Sequence, residues 1–498
     1  MVRLSFSHRL LIAASVFVMM QTLASTFFIL PVNGQSVAPT QTIRVCDTIR
    51  AERLQKSVRI AFAVALASSV YQGYNISYRT FGNYTGVVTV DRASIVADVK
   101  TYGSQCDIIV GTGSSSIEIL SLSTISPATT MWVDGGSTSM LLVDTAITRV
   151  IPNDEAFVRL GWLPLLLRLG IKTVGMITLG NNNYAASLEG GMRRFALGAG
   201  VSIVETSTIT VNSLEELGKK VPSFLATADA VDAVIVNFPA TEDSFKAFVA
   251  AAVANNDARR RAGKNAIVYF FPEDMCSSTD DMWLQLSGSF CLSYLLNATT
   301  YQAFLNEMSQ RDPTVDRNLQ RIVETAGFSE TQYRIAANTN EAFTLDGFFM
   351  DAFAIALQAT MAFLRDPTAF SNSRTVALRR ATLTSAFSGT LTFLETGVRA
   401  TTVPMIVYNS QPGTLQPVER VVVGVAVDGT LNVSSTTRIQ LGDRQWKGVD
   451  VVPAQGPWSN PQIGFLVWAI AVTVALAASI GATVTTRRAN SNLEKDKA

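Results

Sequence analysis

The strongest constraint on this chain is an alternation that starts at Thr42. Short apolar runs of strand length are separated by longer stretches with helical periodicity. Such alternation predicts βαβ units with a parallel sheet and right-handed crossovers. The spacing predicts strands over Thr42–Val45, Asn75–Thr80, Cys106–Val110 and Ala128–Val133, with helices over Arg50–Val70 and Arg92–Tyr102. A second series begins after Pro152. It predicts a helix at Leu160–Leu169, then alternating strands and helices: Thr173–Leu179, Tyr184–Leu197, Val201–Ile209, Leu214–Ala226, Ala233–Asn237, Ser244–Asn255 and Ala266–Phe271. Gly170, Gly198 and Gly200 mark helix stops. The fold class expected is α/β, with two doubly wound parallel-sheet lobes.

The remaining elements differ in kind. FTLDGFFMDAFAIALQATMAF, Phe343 to Phe363, carries an apolar stripe through Leu345, Phe348, Phe349, Ala352, Phe353, Ala356 and Leu357. That spacing is one helix face, and it reads as core. SGTLTFLETGVRATTVPMIVYN, Ser388 to Asn409, predicts strand, turn and strand around Glu395-Thr396-Gly397. Arg420–Ala426 and Thr430–Ile439 predict a hairpin around Asp428-Gly429.

Two apolar segments set an expected topology. Arg3 and Arg9 precede LLIAASVFVMM, which predicts a secretory signal over residues 1–34, with Gly34 preferred to Ala24 as the cleavage position. IGFLVWAIAVTVALAASIGATV, Ile463 to Val484, is 22 uncharged residues followed by Arg487-Arg488. It predicts one transmembrane helix with a cytoplasmic tail at 485–498. Residues 456–462 read as a juxtamembrane stalk, and residues 35–455 as an ectodomain. The expectation is a single-pass type I plasma-membrane protein with its N-terminus extracellular. Ala471, Ala475, Ala478 and Ala482 form a small-residue stripe that suits a homodimer contact. Sequons at Asn75, Asn83, Asn297 and Asn432, and four cysteines, all fall on the outer side. Cys276–Cys291 is the expected short-loop disulfide. Cys46–Cys106 follows by elimination, although Cys46 ends a strand and Cys106 begins one.

Composition narrows the function. Basic and acidic residues balance at 40 and 39, so no nucleic-acid surface is expected. Arg259-Arg260-Arg261 is the one basic run, and it sits where cations suit a helix end. The only histidine, His8, lies in the signal segment. Ser-His-Asp and Cys-His catalysis and His-ligated metals are thereby excluded from the mature chain. No enzyme activity, metal or cofactor is expected.

CDIIVGTGSSS, Cys106 to Ser116, ends a strand in glycines and hydroxyls, a pattern that can hold an anion. No lysine follows Gly113 as a Walker loop requires, and position 116 is Ser where a dinucleotide fingerprint needs Gly.

This order of parts resembles the type I periplasmic binding protein fold, the receptor-family ligand-binding region. Branched-chain amino-acid binding proteins have it, as do natriuretic-peptide receptor ectodomains. The resemblance covers about Thr42 to Asn409. It rests on CDIIVGTGSSS, TISPATTMWVDGGSTS, GIKTVGMITLGNNNYAASLEGGMRRF and SGTLTFLETGVR, the last with Glu395 where Asp is common. The chain also resembles the ectodomain and single span of kinetoplastid receptor-type adenylate cyclases, without the cyclase domain, so no cyclase activity is carried over. The first resemblance implies two lobes joined by three hinge crossings. Lobe 1 is expected at about 42–150 and 290–387, and lobe 2 at about 151–289 and 388–450. It implies a small-molecule ligand held by Ser114, Ser115, Ser116, Gly136, Ser137 and Thr138 from one lobe. Tyr184, Phe238 and Glu273 would come from the other. The expected function is a cell-surface receptor that closes on an amino-acid-like or other small polar ligand and signals through a dimer or a partner receptor. A coat or adhesion protein, a decoy co-receptor and solute capture for a transporter are the alternatives.

Overall fold

The computed structural model describes residues 41–48, 74–82, 88–143, 145–239, 243–277, 282–296, 344–384, 386–412, 419–433 and 438–446. The signal segment, the helix expected at 50–70, Asn83, Asn297, the stalk, the span at 463–484 and the tail lie outside them.

The first sheet contains β1 (Gln41–Asp47), β2 (Tyr74–Thr80), β3 (Ile108–Val110), β4 (Met131–Asp134) and β5 (Ile147–Arg149), in the order β2-β1-β3-β4-β5. All four pairings are parallel. Every residue of β3 and β4 is buried, as expected of central parallel strands covered on both faces. Helices α1 (Val88–Tyr102) and α2 (Ser115–Ser121) belong to this lobe.

The chain then runs into a continuous helix: α3 (Asp154–Phe157), a π-helical stretch (Val158–Trp162) and α4 (Leu163–Arg168). The second lobe follows as β6 (Thr173–Leu179), α5 (Asn183–Phe195), β7 (Ser202–Val211), α6 (Leu214–Thr227), β8 (Ala233–Asn237), α7 (Asp243–Arg261), β9 (Tyr269–Phe271), α8 (Glu273–Ser277) and β10 (Phe290–Tyr294). Helix α9 (Thr344–Arg365) packs back on β3 and β4, and α10 (Arg374–Arg380) joins it. Next come β11 (Met405–Gln411), β12 (Glu419–Val427) and β13 (Thr430–Val433), then the short β14 (Gln440–Leu441) and β15 (Arg444–Gln445).

The second sheet corrects the expectation of wholly parallel lobes. Its order is β13-β12-β11-β10-β9-β8-β6-β7. Pairing is parallel up to β9–β10 and antiparallel from β10 to β13. Strand β10, which the expected boundaries place in lobe 1, is therefore the join between the parallel and antiparallel halves of the second sheet. Its five residues are all buried, and they replace the alternation that would have marked a strand. At the far end, Asp428 and Gly429 take left-handed φ values of 48° and 76°, which a type I′ hairpin turn requires. The expected hairpin at 388–409 is reduced to two isolated bridges, Leu383 with Leu391 and Phe393 with Arg399.

Among the described residues the chain passes between the sheets after β5, after β10 and before β11. Hydrogen bonds tie these passages side by side. Leu295 N–H donates to the Pro404 carbonyl at 2.7 Å, and the Tyr294 hydroxyl donates to the Pro152 carbonyl at 3.4 Å. Arg399 Nη1 donates to the Val150 carbonyl at 3.1 Å and to Ser388 Oγ at 2.6 Å. Ser388 in turn is held by the buried Asp351 of α9.

One apolar core runs through both lobes, from Ile43 and Val110 to Met176 and Phe290. The outer face of each sheet has its own smaller core. Helix α9 from Gly347 to Arg365 is long and apolar enough to cross a membrane, yet 83 % of it is buried here, so it serves as a core helix. The basic run at 259–261 ends α7. Arg259 pairs with Asp229, and Arg260 with Asp443 at 2.8 Å, so two of its three cations are already neutralised.

Both disulfides form. Cys46 and Cys106 have Cα atoms 5.9 Å apart, and Cys276 and Cys291 5.7 Å. The first is possible because β3 begins only at Ile108, which leaves Cys106 in the preceding loop. The two bridges close loops of 60 and 15 residues of separation. Loop-closure entropy then predicts a loss of about 4 kcal/mol for the Cys46→Ser/Cys106→Ser pair and about 3 kcal/mol for Cys276→Ser/Cys291→Ser. Denaturant unfolding of the two double variants should show the first as the less stable.

Candidate functional site

The expected site residues gather where the strand ends of the two sheets face each other. On the first lobe the organiser is Asp134, the last residue of β4, which is fully buried. Its Oδ2 accepts from Gly113 N at 3.0 Å, and its Oδ1 accepts from Gly136 N and Ser137 N, both at 2.5 Å. One carboxylate thus ties the loop after β3 to the loop after β4. Three amide donors on a charged acceptor are strong bonds in a dry site.

Glu118 of α2 lies beside it, also fully buried. A Cβ added at Gly111 would stand 2.6 Å from Glu118 Oε1 and closer still to Asp134 Oδ2, so only glycine fits between the two carboxyls. Burial first, and then the Asp134 charge, push the Glu118 carboxyl well above the usual range. Ionisation of Glu118 is thereby disfavoured beside Asp134. Arg149, at the end of β5, donates Nη1 to the Ser139 carbonyl at 2.6 Å and supports the β4 loop from below. From the other side the Phe349 ring sits against Gly113 and Gly136, within 3.1 and 3.2 Å of where a Cβ would be.

The two loops carry the expected hydroxyls. Ser114 occupies the cap position of α2, but its side chain caps nothing. Ser115 Oγ accepts from Ser139 N at 3.3 Å. The side chain of Ser116 lies outside the described residues. Gly136 supplies the close approach just described. Ser137 and Thr138 are 1 % and 2 % exposed; the Ser137 hydroxyl faces Glu118 and the Thr138 hydroxyl faces Asp154, neither in a well-formed hydrogen bond.

The second lobe meets these loops through the start of α5. Asn182 caps that helix by accepting from Ala185 N at 3.0 Å, which fixes the next turn. Ser187 Oγ accepts from Met140 N at 2.9 Å, a direct bond between the lobes. The Tyr184 hydroxyl is shut off from solvent and lies beside Glu273, the first residue of α8. Burial, followed by the charge of Asp154, raises the Glu273 carboxyl well above its usual range. Phe238 is not part of this group. Its ring stacks on Phe248 at 5.9 Å inside the outer core of the second lobe.

Sequence reasoning missed Glu118, Asp134, Arg149 and Asp154. Asp154 opens α3, where the chain crosses between lobes, and it is fully buried. Neither carboxylate oxygen has a well-formed hydrogen bond. Burial pushes it up to about 6, against the lowering effect of the Ser187 and Thr138 hydroxyls and Arg149. The available signal was its place in IPNDEAF, one residue after a helix-capping Asn at a lobe crossing. For Asp134 the signal was an acid at a strand end followed by two glycines.

Asp154 gives a testable pH dependence. Its folded value, about 6, lies above the ordinary aspartate value of 3.8, so the folded state binds the extra proton between these pH values. Its contribution to stability therefore falls as pH rises through this window, and the cost is complete above about pH 6. Asp154→Asn should remove that part of the slope, worth about 3 kcal/mol, in urea midpoints compared with wild type from pH 4 to 7. Asp134→Ala strands three amides and should cost about 3 kcal/mol in the same assay.

No family model matches the chain, and no curated protein matches it. Solved structures do. An ABC transporter substrate-binding protein of Desulfitobacterium hafniense in complex with Leu aligns with a TM-score of 0.52 at 16 % identity, over 76 % of this chain and 99 % of its own. Another structure described as an ABC transporter substrate-binding protein of the same organism aligns with a TM-score of 0.51 at 15 % identity, over the same shares. The chain shares the two-lobed, periplasmic-binding-protein-like fold of these proteins.

Proposed function

We propose that this chain is a receptor-like binding protein whose two lobes close on a small ligand bearing an amine, with an amino acid as the simplest case. One observation carries the reading. The lobes enclose the wholly buried Asp154, whose carboxylate oxygens make no well-formed hydrogen bond although Ser187, Thr138 and Arg149 lie near, together with the buried hydroxyls of Ser137 and Thr138. A buried polar group without a partner costs free energy. An ammonium group held by Asp154, Tyr184 and Glu273 supplies the missing donors. The hydroxyls of Ser115, Ser137 and Thr138 are placed to donate to a carboxylate. The bond from Met140 to Ser187 ties the lobes in the closed arrangement, so ligand binding acts by shifting an open–closed equilibrium.

In this reading the segment at 463–484 anchors the domain at the plasma membrane as a type I protein, and signalling passes through a dimer or a partner receptor. The second reading is solute capture for a transporter. It is favoured by the fold shared with transporter substrate-binding proteins. A coat protein with a degenerate cleft fits less well, because buried unbonded polar atoms persist where apolar side chains would have filled the space.

Differential thermal unfolding of the full-length chain against amino acids, nucleosides, sugars and small carboxylates tests the proposal. An amino acid at 100 Kd should add about 2.7 kcal/mol of stability. The matching 2-hydroxy acid, which lacks the amine, should add nothing. Thr138→Ala and Tyr184→Ala should abolish the gain. Stabilisation by the hydroxy acid equal to that by the amino acid would refute the amine assignment.

A further inference from the structure

The two main sheets end in four outer strands, and at two of them backbone groups are engaged from within the chain. At β5, Arg149 N–H donates to the Gly397 carbonyl at 2.8 Å. At β7, Lys220 Nζ of α6 donates to the Thr210 carbonyl at 2.8 Å, and Thr208 Oγ1 donates to the Val204 carbonyl at 3.0 Å. The other two outer strands are β2 and β13. Among the described residues β2 pairs only with β1, along all seven of its residues, and β13 pairs only with β12. An open edge templates pairing with a further strand, so native chains guard it. The need is greatest at β2. Its sequence YNISYRT is rich in aromatic and β-branched residues, has no proline and carries one charge, Arg79. Such a segment stacks readily into sheets.

Both of these edges carry an N-x-[ST] sequon, whereas β5 and β7 carry none. Asn75 of β2 and Asn432 of β13 are both exposed. Asn75 and Ser77 of the same sequon share one face of the strand, and both are open to solvent. An incoming strand would have to lie about 4.8 Å away, with opposed Cβ atoms about 5 Å apart. A branched sugar on the asparagine leaves no room for it. We propose that Asn75 and Asn432 bear N-linked oligosaccharides that close these two edges against strand pairing by a second copy of this chain. The modification is one substitution. C1 of the first sugar leaves the pyrophosphate of a lipid-linked oligosaccharide donor and bonds to the asparagine Nδ2; the lipid pyrophosphate departs, and one amide proton is lost to a base. The proposal rests on the reading above that this part of the chain lies outside the cytosol, and it is independent of any ligand in the cleft.

The full-length chain, expressed through a eukaryotic secretory pathway, tests it by site-resolved glycopeptide mass spectrometry and by sedimentation in mild detergent. Asn75 and Asn432 should both be occupied. The double variant Ser77→Ala/Asn432→Gln loses both sugars and should self-associate at least about tenfold more tightly than wild type, with both disulfides intact. Ser77→Lys/Asn432→Lys also loses both sugars but sets a charge on each edge. It should sediment as wild type, which separates edge pairing from a general loss of solubility. Occupancy of Asn83 or Asn297 with Asn75 and Asn432 bare would overturn the edge assignment and leave the extracellular reading intact. All four sequons bare would overturn both. Occupied sites whose removal leaves sedimentation unchanged, or equal self-association of the two double variants, would overturn the guarding role.

Discussion

The carboxylate of Asp134 is the interaction on which the first lobe's half of the site depends. Parallel strands end in loops whose amides have no partner in the sheet. At β3 and β4 those amides belong to Gly113, Gly136 and Ser137, and all three converge on one side chain. Beside it, burial and the Asp134 charge disfavour ionisation of Glu118, and Arg149 sets its guanidinium among Asp154, Glu118 and Asp134. A lobe built this way presents hydroxyls on loops held in place by its own buried side chains. Preorganisation of this kind lowers the ordering cost of binding.

The second lobe contributes in a different manner. Tyr184 is placed by a helix cap, Glu273 by the turn that follows β9, and Asp154 by the crossing itself. These three groups stand together on the second-lobe side, and Thr138 of the first lobe faces Asp154. The passages between the sheets are tied by polar groups: Arg399 and Tyr294 donate to the Val150 and Pro152 carbonyls, and Arg399 also bonds Ser388 Oγ.

Much of this architecture was legible in the sequence. Strands at 173–179 and 233–237 were readable to the residue, because flanking glycines and polar turns punctuate them. The stripe on α9 and the Asp428-Gly429 turn were equally plain. Strand β10 was not, since FCLSY is apolar throughout with no alternation, and it pairs with β11 more than a hundred residues later. The site was half legible. Hydroxyls after a strand invite a ligand reading, and so does an aromatic after a strand. Phe238 shows the weakness of the second rule, because an aromatic there packs as readily into the core. The buried acids were hidden for a physical reason: an acid in a helix or at a strand end normally faces water, and only the tertiary fold shows which ones do not.

The seat of Phe349 has a wider consequence. Its ring bears on Gly113 and Gly136, while the backbone of the same helix crowds Gly135. The loops after β3 and β4 thus rest on a helix that is otherwise pure core. In such a molecule the vocabulary of binding and that of packing merge. A change of volume on α9 would be transmitted to both loops, so under the proposed binding reading selectivity could shift without any change in the residues that touch a ligand.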